Sequence, residues 1–354
     1  MSISVLHVNG ETTWRGGERQ LYLLLNCAGT RWDNAVVCKK GSELDLRLKT
    51  LDVSRHHLGL RSSINVRSAW KLAGLCRREN IDVLHCHTPK AHAIGAISKV
   101  FGHPAKLIVT KRTAFPISNN AFSRWKYRIA HQVICVSKAV EEVVLNSVPS
   151  AKTRVVTSAI ERKEEIEHIT PPELAELDEK PFVIGYAAAF TSEKNPEGFL
   201  KVAEKILKTD SNVIFVWIGD GNLREEFAGR VQEMGLSSSI LLPGFQDNPL
   251  EWINSFDVLF FPSLSEGFPT TILNAMQCGV PVVASNVGGI VEIIEDRITG
   301  VLVDPENSDG FVKALSELKA DDELRGGITS AAKEKLEDYY IEKTVERMDR
   351  VYRS

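Results

Sequence analysis

The stretch that most constrains the fold is residues 258–281. Val258-Leu259-Phe260-Phe261 is a short unbroken apolar run, as a strand buried on both faces requires. Pro262 ends it, and Ser263, Ser265, Glu266 and Gly267 make a small polar loop. Pro269 falls where a first helical residue belongs, because its missing N–H costs nothing there. Ile272, Leu273 and Met276 give the helix an apolar face, and Gly279 closes it. The product is strand, loop and helix, with a carboxylate and a glycine at the helix mouth. The N–H groups of a first helical turn and the helix dipole favour an anion, and a phosphate fits best. Glu266 would repel a phosphate placed directly on it, so it reads as an acceptor for hydroxyl groups beside the phosphate, as in a sugar. Asn274 lies inside the helix and can reach a second polyol. An ordinary α/β loop with a solvated glutamate is the competing reading, and spacing alone does not separate the two.

The sequence runs Glu266-Gly267-Phe268-Pro269, then Asn274-Ala275-Met276, then Gly279-Val280-Pro281-Val282-Val283-Ala284-Ser285. It continues through Gly288-Gly289 and Glu292 to Gly300-Val301-Leu302-Val303-Asp304-Pro305. This stretch resembles the donor-site motif of the family 4 glycosyltransferases, retaining enzymes of the GT-B fold. Their pattern is Glu-Gly-Phe-Pro, a short apolar spacer, Glu-Ala, and a Gly-Val-Pro-Val-Val strand; the second Glu is Asn274 here. The resemblance implies an α/β protein of two Rossmann-like domains whose parallel sheets face an inter-domain cleft, with the donor mostly on the second domain and the acceptor mostly on the first. It implies sugar transfer from a UDP- or GDP-linked nucleotide diphosphate sugar to a hydroxyl of a glycan or lipid-linked acceptor, in glycan, lipopolysaccharide or other glycoconjugate synthesis. No cofactor and no metal are implied. A nucleotide-sugar epimerase of related fold and a non-catalytic nucleotide-sugar or glycan-binding protein are the alternatives.

The rest of the chain agrees with such an architecture. Its 354 residues suffice for two cores. Apolar strands alternate with amphipathic helices in both halves, which argues for parallel sheets wrapped by helices. The Glu- and Lys-rich segment 161–180, with Pro171-Pro172, reads as a solvated connection. The domains are therefore expected at residues 1–165 and 166–340, and the resemblance implies that a terminal helix over 341–354 packs back on the first. A net charge of −3 gives no global pull toward nucleic acid. The six cysteines include no Cys-x-x-Cys pair, and buried free thiols in a reducing cytoplasm are the expectation.

Four further segments offer side chains for a site. Gly16 and Gly17 follow the first strand and let backbone approach an anion closely. The family has a similar Gly-Gly loop facing the donor diphosphate. Lys194 lies in a loop before a helix; alone it would read as solvated, but the family sets a Lys here against the diphosphate. An Arg that the family often carries earlier is Ala189 in this chain. The implied catalytic residues are Glu266 and Lys194. The implied donor-binding set is Gly16, Gly17, Lys194, Gly267, Phe268, Pro269, Thr270, Thr271 and Asn274.

The third segment, Asp82-Val83-Leu84-His85-Cys86-His87, resembles the family's Asp-x-x-His-x-His stretch and makes His87 an acceptor-side residue. Metal is not expected there, since a strand end gives alternating faces and no carboxylate or cysteine completes a set; His85 reads as a lone, buried, satisfied histidine. The fourth, Thr110-Lys111-Arg112, puts two cations where many relatives carry a His, which makes Lys111 and Arg112 acceptor-side too. Residues 106–138 hold seven Lys or Arg and no Asp or Glu, with Trp125 and Tyr127 between Arg124, Lys126 and Arg128. Such a face is either plainly solvated or suited to anionic head groups or a phosphorylated glycan; the protein is expected in the cytoplasm, and head-group contact would make it peripheral on the inner face of the membrane.

Overall fold

The computed structural model describes residues 2–60, 62, 64–169 and 180–354; Pro171-Pro172 lies outside the described residues. The chain divides into two compact units, Met1–Glu161 with Tyr339–Ser354, and Arg162–Asp338.

The strands of the first unit are β1 (Ser4–Val8), β2 (Asp33–Cys38), β3 (Ser54–His57), β4 (Val83–Cys86), β5 (Lys106–Lys111), β6 (Gln132–Cys135) and β7 (Thr153–Val155). They form one sheet of order β3-β2-β1-β4-β5-β6-β7, with every pair parallel. Val5, Leu6 and Val8 are fully buried, as strands covered on both faces require. The order reverses between β1 and β4, so the loops after these strands diverge and leave a crevice at their carboxyl ends. The helix Ile341–Arg353 belongs to this unit. Its Ile341, Val345, Met348 and Val351 recur at helical spacing and pack into a core with Val5, Leu24, Trp32, Val83 and Ile108. Trp32 Nε1 donates to Asp349 Oδ1 at 2.7 Å, and Ile341 N donates to Ile160 O at 2.9 Å.

The strands of the second unit are β8 (Phe182–Ala187), β9 (Val213–Ile218), β10 (Ile240–Gly244), β11 (Val258–Phe261), β12 (Val282–Ser285) and β13 (Val301–Val303). Their order is β10-β9-β8-β11-β12-β13, again all parallel, with the reversal between β8 and β11. An aromatic core fills this unit. Trp217 stacks on Phe190 at 4.0 Å between ring centroids and lies 4.6 Å from Tyr186.

Several elements differ from what periodicity predicts. β3 reads Ser-Arg-His-His and β7 is three residues long; both are edge strands, so neither needs the apolar pattern of a central strand. The helix Asp322–Leu336 contains Gly326-Gly327, and its buried residues are Ile328, Ala332 and Leu336, a stripe too narrow to stand out. The six cysteines are free; Cys38, Cys76, Cys86 and Cys135 are buried, while Cys27 and Cys278 are half-buried. Among the described residues no helix is long and apolar enough to cross a membrane.

Candidate functional site

In the second unit, chemistry-bearing residues gather where the strand order reverses. Lys194 follows β8, on the short turn Ser192–Lys194, and Glu266 follows β11. Lys194 Nζ is ion-paired with Glu266 Oε1, so the two loops are joined across the reversal. Glu266 is 8 % exposed and the Lys194 side chain 19 %, which shields the pair from bulk water and makes it stronger than a surface bridge. The lysine ammonium also lies 5.5 Å from the centre of the Phe261 ring.

The surroundings fix both loops. Asn195, in left-handed backbone at φ 57°, caps the helix Pro196–Leu207 by accepting from Gly198 N at 3.0 Å. Its Nδ2 donates to Pro262 O at 3.1 Å, tying the residue after Lys194 to the residue after β11. The Tyr186 hydroxyl meets Ser263 Oγ at 2.9 Å and donates to Lys194 O at 3.2 Å. Leu264 N donates to Glu193 O at 2.8 Å. On the other side, Gly289 N donates to Glu266 O at 3.2 Å.

The helix of this motif runs Thr270–Cys278, and Gly279 ends it at φ 70°. Pro269 is the cap and not the first helical residue: its ψ of 108° is extended, and its carbonyl accepts from Ile272 N at 3.2 Å. Thr270 and Thr271 therefore form the mouth, with N–H groups that have no acceptor within the helix. Thr271 Oγ1 donates to Ala187 O at 3.3 Å, holding the mouth against the end of β8. Phe268 is buried, so its ring anchors the loop, and any ligand contact there falls to the backbone. Asn274 is buried one helical turn behind Thr270.

In the first unit, the loops after β1, β4 and β5 carry a second polar cluster. Gly16 and Gly17 open the helix Gly16–Ala28. Glu18, buried at its first turn, accepts from Asn9 Nδ2 at 3.0 Å and from Arg15 N at 3.2 Å. Arg112 reaches this turn; a Cβ on Gly17 would lie 3.5 Å from Arg112 Cδ. Burial lowers the pKa of the Arg112 guanidinium to about 10, opposed by the charge of Glu18, and its buried Nε has no hydrogen-bond partner among the described residues. Lys111 Nζ donates to Phe115 O at 2.9 Å, and burial depresses its pKa to about 8.

His85 is buried and hydrogen-bonded on both nitrogens, to the Tyr352 hydroxyl and to Thr110 Oγ1, each at 2.7 Å. It is not alone. Its ring centre lies 3.9 Å from that of His87 and 5.6 Å from that of His7. The argument from alternating strand faces fails here, because residues two apart share a face and the β1–β4 register sets His7 opposite His85. His7 was invisible as a site residue because its partners are almost eighty positions away in the chain. Two groups of side chains among the described residues have the spacing of metal ligands: His7, His85 and His87, and Cys38, Asp45 and His57. In the second, Arg55 shares the Asp45 carboxylate with His57, which opposes a cation.

Burial lowers His7 to about 4 and holds His85 and His87 well below the usual imidazole range. A histidine neutral in the fold but free to charge when unfolded binds fewer protons folded, so stability falls with falling pH between 6.5 and about 4. Each such proton contributes a slope of about 1.4 kcal/mol per pH unit. The second unit holds one histidine, the exposed His168. Protection factors of peptides over β1 and β4, taken after correction for the intrinsic pH dependence of amide exchange, are therefore expected to fall more steeply from pH 6.5 to 4.5 than those over β8 and β11. An equal loss of protection in both would show that the buried imidazoles do not govern the acid response.

The basic segment is less of a surface than its composition suggests. In the helix Ala121–Arg128 the spacing of four turns Ser123 and Tyr127 inward, where Tyr127 meets His92 edge-on at 4.6 Å. Lys126 folds over the Tyr127 ring at 5.6 Å, and burial lowers its pKa. Arg124 and Arg128 alone of the interleaved cations stand exposed.

Residues 14–164 match the family model "Glycosyltransferase Family 4", and residues 172–335 match "Glycosyl transferases group 1". The chain belongs to the family 4 glycosyltransferases. Among curated relatives, it is 24 % identical over 307 residues to the UDP-Gal:alpha-D-GlcNAc-diphosphoundecaprenol alpha-1,3-galactosyltransferase of Escherichia coli, covering 81 % of this chain and 79 % of the relative. It is 26 % identical over 301 residues to the N-acetyl-alpha-D-glucosaminyl L-malate synthase of Bacillus anthracis, covering 80 % and 77 %. Among solved structures, Anabaena HepE in complex with UDP-glucose superposes with a TM-score of 0.82 over 99 % of both chains at 18 % identity. Sucrose-phosphate synthase of Thermosynechococcus elongatus gives 0.78 over 99 % and 98 % at 18 % identity. The fold is GT-B, and the glycosyltransferase has its two Rossmann-like sheets of seven and six strands.

Proposed function

We propose that this glycosyltransferase is a retaining enzyme that moves a sugar from a nucleotide diphosphate sugar, UDP-linked before GDP-linked, to a hydroxyl of a glycan or lipid-linked acceptor. The observation that carries the reading is the Lys194–Glu266 pair, which sets one cation and one carboxylate beside the Thr270–Thr271 helix mouth at the reversal of the second sheet. Three needs of the reaction are matched. The helix mouth and Lys194 neutralise the departing diphosphate. Glu266 takes sugar hydroxyls and faces the positive charge that develops at the anomeric carbon. Asn274 takes the nucleotide ribose through an amide that can both donate and accept.

In the reaction, the bond between the anomeric carbon and the diphosphate oxygen breaks, and the acceptor oxygen bonds to the same face of that carbon. The acceptor proton passes to the departing phosphate oxygen, so the protein supplies no nucleophile. Gly16 supports a phosphate-facing role for its loop: among the described residues, nothing beyond its own turn lies within 4 Å of where its Cβ would be, so packing does not explain the glycine. Arg112, Lys111 and His87 form the acceptor side. The relatives support the substrates proposed: HepE was solved with UDP-glucose, and the Escherichia coli enzyme acts on a diphosphoundecaprenol-linked sugar. The exposed Arg124 and Arg128 suit an anionic head group near such an acceptor.

A panel of UDP- and GDP-sugars tests this by thermal shift, since a ligand bound only to the folded state raises Tm. A stabilising donor is then incubated with lipid-diphosphate-linked and free glycan acceptors. The expected product keeps the donor's anomeric configuration by proton NMR. An inverted product would end the retaining assignment, and interconversion of the donor sugar without acceptor would make the protein an epimerase.

A further inference from the structure

The histidines of the first unit carry information that their burial alone does not. Asn34 Nδ2 donates to the Trp32 carbonyl at 3.3 Å. A carbonyl can only accept, so the amide is oriented, and its Oδ1 faces His7 Nε2 at 3.2 Å. That oxygen also can only accept, so His7 carries its proton on Nε2 and a lone pair on Nδ1. His7 Nδ1 meets His87 Nε2 at 3.0 Å. His87 must therefore donate from Nε2, which leaves the lone pair on Nδ1. His87 Nδ1 is buried and, among the described residues, has no hydrogen-bond partner. A neutral His7 is what the relay needs, and burial supplies it by lowering that ring to about 4.

We infer that the Trp32–Asn34–His7 relay fixes the tautomer of His87 so that its Nδ1 accepts a hydrogen bond from a substrate hydroxyl. Asn34 and His7 are positioning residues for that contact. The inference rests on placing the acceptor side in this unit, and it adds the chemical character of the group bound there. An acceptor lone pair excludes a carboxylate or phosphate at this point and requires a donor. The hydroxyl is not the reacting one, because that group's single proton goes to the departing phosphate. The contact therefore governs which sugar is held and leaves bond breaking to other groups. The neighbouring loop after β5 offers the complementary partner: Arg112 Nε–H is a buried donor without an acceptor among the described residues, and a hydroxyl has lone pairs to offer it.

A metal ion is the competing occupant, since the three imidazoles offer ligand atoms within 4.8 Å of one another. It would have to break the His7–His87 bond and draw His85 away from Tyr352 or Thr110. The hydroxyl costs none of these bonds.

The full chain labelled with ¹⁵N-histidine tests the relay without any substrate. Long-range proton–nitrogen correlation at pH 7.5 is expected to show His87 as the neutral Nε2–H tautomer, identified by the signals lost in His87→Asn. An Nδ1–H or doubly protonated His87 would overturn the inference, and so would uptake of one equivalent of zinc that shifts the His87 nitrogens and vanishes in His87→Asn. Kinetics then locate the hydroxyl. His87→Leu is expected to raise KM about tenfold, the value of one neutral hydrogen bond, with kcat within a few-fold. His87→Asn, whose amide oxygen can replace Nδ1, is expected to recover most of that loss. A rise confined to the KM of the acceptor assigns the hydroxyl to the acceptor; a rise also in the KM for hydrolysis of UDP-glucose without acceptor assigns it to the donor sugar. Wild-type kinetics in His87→Leu would overturn the contact. Absence of any transferase or hydrolase activity in the wild-type chain would count against the reaction proposed above, while the tautomer result would still decide the relay.

Discussion

Glu266→Gln is expected to lower kcat at least tenfold, about 1.4 kcal/mol or more in barrier, while nucleotide diphosphate affinity changes little. Gln keeps the size of the side chain and an oxygen that can accept from Lys194, so the loops after β8 and β11 stay joined. What it loses is the negative charge that the proposed role sets beside the developing sugar cation. Charged hydrogen bonds are worth about 1.5–3 kcal/mol and neutral ones about 0.5–1.5, so the difference should appear where charge develops and not in ground-state binding. Asn274 supplies the contrast. Asn274→Ala should weaken nucleotide binding with little effect on kcat, and Asn274→Glu should preserve or tighten it. Steady-state kinetics with calorimetric titration of UDP separate the two patterns. Wild-type turnover in Glu266→Gln would remove Glu266 from the donor sugar and take the central assignment with it.

A second large effect is expected from a residue that has no side chain and meets the Glu266 loop through backbone alone. The loop after β12 lies directly on the backbone of the Glu266 loop. A Cβ on Gly289 would lie 1.9 Å from Gly267 O, and one on Gly288 would lie 2.1 Å from Glu266 O, with Gly288 already at φ 50°. Neither obstacle is a side-chain end that can swing aside, so Gly289→Ala must displace one backbone from the other. Overpacking of this kind costs about 1–3 kcal/mol of stability, and a shift of about 1 Å at a reacting group can cost about a hundredfold in rate. Gly289→Ala is therefore expected to lower Tm and to reduce kcat/KM more than Glu266→Gln does. Gly16→Ala, whose Cβ meets nothing within 4 Å among the described residues beyond its own turn, should leave Tm unchanged. If Gly289→Ala melts and turns over like the wild-type chain, Gly288-Gly289 does not set the position of Glu266.

The strands most legible in the sequence are those buried on both faces. β8 and β11 stand out because every residue must be apolar or small to sit between two layers of helix. The edges β3 and β7 and the helix Asp322–Leu336 do not, because a partly solvated element tolerates polar residues and glycine. The site shows the same division. Glu266, Gly267, Pro269 and Asn274 are close in the chain, so their spacing and the helix period place them together before any tertiary contact is known.

The sequence by itself determined two parallel α/β units and a helix mouth with a carboxylate beside it, because local periodicity and turn chemistry act over a few residues. Only the tertiary structure decided what that carboxylate and the histidines touch. Lys194 reaches Glu266 because the sheet order puts β8 beside β11. His7 reaches His87, and Tyr352 reaches His85, because parallel strands and a returning terminal helix join residues far apart in the chain. Strand order and register follow from how whole elements pack, and a pattern read along one segment carries no trace of its neighbours.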